Sequence, residues 1–194
     1  MFARFLGIAI LLCATLSAQQ SAPPAAPQAP LTLGVILDRQ LTNMEKGFVE
    51  AAEAMPEAQF EWAPPESAGA FKGVRTFGGQ IRHVTAGNFV FAAMVLGETP
   101  RFSNSVDDMV KGVPAKGKAE SITLLKESFA LAHKAMQSLT AGNLTDQLQF
   151  PFGQSKMSRM SAANIILWHS MDHYGQMVIY LRMNGVVPPA SRQN

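Results

Sequence analysis

From residue 31 onward the apolar positions recur with the period of a helix. Leu41, Met44, Phe48, Ala51 and Met55 stand three and four residues apart, forming one apolar stripe that Pro56 ends. A second helical pattern, capped by Thr76, runs to about Leu96. The third carries Ile122, Leu125, Phe129, Ala132, Met136 and Leu139 at the same spacing, and Gly142 is placed to stop it. The fourth begins at Ser158 or Ser161 and runs to Asn184, where Asn184-Gly185 caps it and Pro188-Pro189 forbids its resumption.

Two connections are long, Pro56 to Arg75 and Gly97 to Gly117, and Gln147 to Gly153 can add a short extended piece. Four amphipathic helices without convincing strands predict an all-α fold, a four-helix bundle. The long second connection permits a crossover connection in place of a simple up-and-down path.

The N-terminal sequence is of a different kind. Arg4 precedes an apolar run from Phe5 to Leu12, with small residues after it, which is the layout of a signal peptide over residues 1–18. An uncleaved N-terminal anchor is the alternative. The chain is therefore expected to be exported, periplasmic or secreted. Residues 19–30 form a Pro/Ala-rich linker, and residues 31–194 are the expected folded domain. Cys13 is the only cysteine and lies in the leader, within a poor lipidation motif. The mature chain would then have no disulfide, no thiolate nucleophile and no cysteine-based zinc site. A net charge of +2 with interspersed acids and bases gives no electrostatic footprint for nucleic acid.

The chemistry lies in the four histidines. His169 and His173, four apart on the last helix, differ by about 40° around its axis and leave the same face. That face continues through Ala162, Ile165 and Ile166 on one side and Gln176 and Tyr180 on the other, so it points inward. Two readings stand: hydrogen-bonded core histidines, or two neutral imidazoles forming a chelate for a divalent metal. His83 on the second helix shares its face with Gly79 and Gly87. Each glycine there costs about 1 kcal/mol relative to alanine, and the return is space, for a close helix or for a ligand beside the ring. His133 sits at a helix flank and is expected to be solvated or half-buried, not a ligand.

Three histidines on two helices would leave a coordination position open, the arrangement of a reactive or ligand-binding site. Histidine-only ligation suits zinc, nickel, iron or copper. Each ring needs its second nitrogen anchored, and Asp172 and Gln176 are near enough in sequence to serve. No glutamate lies on either histidine stripe, so the catalytic residue is unknown and Asp172 is a marginal general base.

Two blocks carry a resemblance. "RTFGGQIRHVTAGNFVF", Arg75 to Phe91, and "HSMDHYGQMVIYLRMNGVVPPAS", His169 to Ser191, are similar to the second and last helices of the DinB-like metal-binding four-helix bundles. "MPEAQFEWAPPES", Met55 to Ser67, fits as well. The resemblance implies His83, His169 and His173 as ligands to a divalent metal (zinc, nickel or iron), and homodimers, since many relatives are dimers. It also implies metal-assisted transfer or isomerisation, commonly thiol-dependent. An exported protein would rarely meet a cytoplasmic thiol, so the expectation is a metal-dependent hydrolase or transferase acting on an unknown small molecule. The alternative is a non-enzymatic metal- or ligand-binding bundle. Gly78-Gly79 departs from the family's acidic residue and is expected to loosen the start of the second helix.

Overall fold

The computed structural model describes residues 31–192. The predicted leader, its cleavage point, Cys13 and the linker lie outside the described residues. Five helices and one hairpin follow: α1 Leu33–Ala54, α2 Phe77–Leu96, α3 Val106–Lys111, α4 Gly117–Gln137, β1 Gln147–Gln149, β2 Lys156–Ser158 and α5 Arg159–Met183. The four long helices are those predicted, and the fold is an all-α four-helix bundle.

Caps set most boundaries. Thr32, Thr76 and Ser158 each accept a hydrogen bond from the backbone N–H three residues on, at α1, α2 and α5. Gly97, left-handed at φ 74°, closes α2. Gly142 does not stop α4. The helix ends at Gln137, and Asn143 folds back over its end, with Nδ2 donating to the Ser138 carbonyl (3.0 Å) and Oδ1 accepting from Thr140 N–H (2.9 Å). The expected extended piece is the hairpin strand β1, in antiparallel register with β2.

Helices α1 and α2 each pack on both α4 and α5. Lys118 at the start of α4 donates to the Glu53 and Met55 carbonyls at the end of α1, so those two helices are antiparallel. The Arg159 guanidinium, opening α5, reaches the Val95 carbonyl near the end of α2, while Gln80 and Gln176 meet at the other end; these two are antiparallel as well. By contrast α2 and α4 start at the same end, where Val113 N–H donates to the Arg82 carbonyl. Two consecutive parallel helices require the chain to travel back along the bundle. Residues 97–116 make this crossover, with α3 laid against α2.

The crossover explains why α2 is buried on nearly every side, Phe77 to Val95. A helix covered by α4, α5 and a return segment has no solvent face to keep polar. The core is filled by Phe48 and Phe129, edge to face at 6.1 Å, with Leu41, Met136, Ile166, Met177 and Leu181. Each such side chain contributes about 1.5–3 kcal/mol on burial.

The start of α2 is firmly held, contrary to the expectation from Gly78-Gly79. Phe77 and Gly78 donate their N–H groups to the Trp62 and Phe60 carbonyls, at 2.8 and 2.7 Å. A Cβ on Gly78 would lie 2.5 Å from the Phe60 ring, so this residue is small because the preceding loop is pressed onto it. Arg82 then locks Glu61 with a two-pronged ion pair, 2.6 and 2.8 Å.

Candidate metal centre

Helix α2 delivers His83, and α5 delivers His169 and His173 one turn apart. The structure brings these three together. Their rings stand nearly perpendicular in every pairing, with centroids 4.9, 4.9 and 4.7 Å apart. One ligating atom from each lies within 4.8 Å of the others, and His83 Nε2 is 3.1 Å from His169 Nε2. His133 is elsewhere, half-buried on α4 as expected. Its Nδ1 and Nε2 meet Asp38 and Glu45 of α1 at 2.6 and 2.9 Å, a clasp between two helices.

Gly87 makes the convergence sterically feasible. A Cβ there would stand 3.1 Å from His169 Cε1 and 3.2 Å from Nδ1. Of the two uses open to the α2 glycines, Gly87 serves the closeness of a histidine on the neighbouring helix. Gly79 instead sits at the cap, where a Cβ would crowd Thr76 Oγ1 at 3.0 Å.

The outward nitrogens of two rings are anchored. His83 Nδ1 donates to the Met109 and Val110 carbonyls, 3.2 and 3.1 Å away on α3. A carbonyl can only accept, so the His83 proton is on Nδ1 and its Nε2 lone pair faces the other rings. His173 Nδ1 is hydrogen-bonded to Gln80 Oε1, and Gln80 in turn donates to Gln176 Oε1 at 3.0 Å. Asp172 does not anchor His169; its carboxylate accepts from Gln176 at 3.1 Å. His169 Nδ1 is buried and has no hydrogen-bond partner among the described residues.

Burial disfavours charge on all three rings, and their neighbours add to it. His83 is held below the ordinary histidine pKa by burial and then by the Arg75 charge, against the two carbonyls. Burial, then His83, lower His169 to about 4, with Asp172 opposing. Burial, then His169 and His83, lower His173 to about 3. At neutral pH the cluster therefore presents neutral imidazoles, the form that binds a metal.

The donor set fits a divalent cation. Zinc–nitrogen bonds of about 2.0–2.1 Å in a tetrahedron place ligand nitrogens ~3.3 Å apart, and the His83–His169 separation is close to that. Three neutral nitrogens could hold an ion and leave further positions to solvent or a ligand. Sequence reasoning misses Gln80 and the Met109 and Val110 carbonyls. Gln80 was within reach, since it stands one turn before His83 on the same face of α2. The carbonyls carry no sequence signal, because any residue offers one.

Comparison with known proteins agrees with this architecture. A family model described as the DinB superfamily matches residues 40–177. Among solved structures, a DinB-like protein from Bacillus cereus superposes with a TM-score of 0.57 at 14% identity, covering 79% of this chain and 93% of that one. A DinB-like protein from Bacillus subtilis gives 0.59 at 13% identity, covering 82% and 99%. None of the curated proteins matches the chain.

Proposed function

The chain belongs to the DinB superfamily, and on that footing we propose that it is an exported protein which binds one divalent metal through His83, His169 and His173. It uses the open coordination position as a metal-dependent hydrolase or transferase on a small molecule. The observation that carries the metal part is the convergence of three neutral imidazoles, two of them anchored through Nδ1. A bound metal would supply Lewis-acid polarisation of a substrate oxygen, or a bound water of lowered pKa.

The protein's own contribution is orientation: helices α2 and α5 deliver the three rings, and the α3 carbonyls and Gln80 hold two of them. A non-enzymatic holder of metal and ligand is the second reading. It is favoured by Asp172, the one carboxylate on α5, which accepts from Gln176 and makes no hydrogen bond to any of the three rings among the described residues.

A panel of activated esters, amides and thiol conjugates, offered to the metal-loaded protein, separates the two readings. Turnover abolished by His173→Ala is the expected result. Stoichiometric metal with no turnover of any member assigns the protein to the holder class.

A further inference from the structure

We propose that Gln80 is a positioning residue that holds His173 with its proton on Nδ1 and its lone pair on Nε2, and that Asp172 enforces this orientation through Gln176. The inference rests on the metal-site reading for its purpose, though not for its geometry.

The polarity is set from the outer end. A carboxylate can only accept, so Gln176 turns its amide nitrogen to Asp172 (3.1 Å) and its oxygen inward. That oxygen accepts from Gln80 Nε2 at 3.0 Å. The Gln80 oxygen is then left for the His173 ring, and the ring nitrogen facing it must carry the proton. Inverting Gln80 alone would set two amide oxygens 3.0 Å apart, and would face two N–H donors wherever His173 kept its Nδ1 proton. Gln80 is 2% exposed and His173 6%, so the clash at the ring has no bulk water to relieve it, while Gln176 at the outer end is exposed.

His83 reaches the same tautomer by a different route, through two backbone carbonyls of the crossover. Two of the three rings are thus preset with Nε2 turned to the centre, one by main chain and one by a side-chain relay. In the relay alone can a point substitution change the polarity.

Long-range proton–nitrogen correlation spectra of the full chain with ¹⁵N-labelled histidine read each tautomer directly. Zinc titration supplies the second readout. In the chelator-treated wild type, His173 is expected to carry its proton on Nδ1. Gln80→Leu is expected to admit the Nε2–H form and to weaken zinc binding by about 10–100-fold, while the His83 tautomer stays fixed. Gln80→Glu, which keeps an acceptor oxygen toward the ring, is expected to restore the Nδ1–H form and part of the zinc affinity, with the exposed Gln176 turning its amide nitrogen to the second carboxylate oxygen. Asp172→Asn, at an exposed position that does not threaten folding, frees Gln176 to face either way and admits some of the Nε2–H form.

A wild-type His173 protonated on Nε2 overturns the proposal. So does a folded Gln80→Leu protein whose tautomer and zinc affinity match the wild type, and an unchanged spectrum for Asp172→Asn removes Asp172 from the role. If His173 shows the expected tautomer but zinc does not bind, the relay stands and the metal-site reading fails. If zinc binds to a protein with the opposite tautomer, the metal site stands and the relay fails.

Discussion

Alanine at Gly112 is expected to destabilise the domain by roughly 2–4 kcal/mol and to weaken metal binding in the protein that still folds. Gly112 has φ 91° and ψ 174°, a backbone state that costs an L-residue about 1–3 kcal/mol. It also lies directly on α2: a Cβ would stand 2.7 Å from the Arg82 carbonyl carbon and 2.8 Å from the His83 nitrogen. These are backbone atoms of a buried helix and cannot yield. Relief comes only by lifting the crossover away, and the crossover carries the Met109 and Val110 carbonyls that hold His83 Nδ1. Losing such an anchor costs about 10–100-fold in metal affinity. Urea denaturation and zinc titration measure the two effects. Gly142→Ala is the matched control, because its nearest neighbour would be 3.9 Å away and the change should stay within about 0.5 kcal/mol.

Acidification is expected to destabilise the chelator-treated protein steeply below pH about 6.5. His83, His169 and His173 all have folded pKa values below the unfolded one, the last two at about 4 and about 3. The unfolded chain binds protons first, so stability is complete above about pH 6.5 and is lost as pH falls toward those values. His133 has the opposite sign. Burial opposes its charge, but the bonds and charges of Asp38 and Glu45 outweigh it and raise its pKa. Its contribution is present below about pH 6.5 and disappears as pH rises through the raised value. Denaturation midpoints from pH 4 to 9 should therefore show a steep acid limb that bound zinc shifts to lower pH. His133→Gln should flatten the alkaline side alone. An acid limb that is unchanged when His173 is replaced by Gln contradicts the assignment.

The parts of this molecule legible in the sequence are those governed by one helix at a time. The stripes from Leu41 to Met55 and from Ile122 to Leu139 give α1 and α4, because burying one face needs a fixed period. The two histidines of α5 share a face for the same reason, and Thr76 announces the α2 cap. Contacts between segments are harder to read. Gly142 looks like a helix stop, yet α4 ends before it because Asn143 folds back onto the Ser138 carbonyl. Gly78 looks like a weakness in α2 until the Phe60 ring is placed against it. The anchoring of His83 by α3 is invisible in sequence, since backbone carbonyls have no residue identity and the crossover must first be laid along α2. Gln80 lies between these cases: its face can be read, but its bond to a residue 93 positions away cannot.

The central claim, a metal held by His83, His169 and His173, is tested most directly by elemental analysis of zinc-supplemented, desalted protein. The wild type should retain about one metal per chain, and alanine at any of the three histidines should remove most of it while alanine at His133 removes none. A wild type holding far less than one equivalent, or a metal content that survives all three substitutions, would contradict the site.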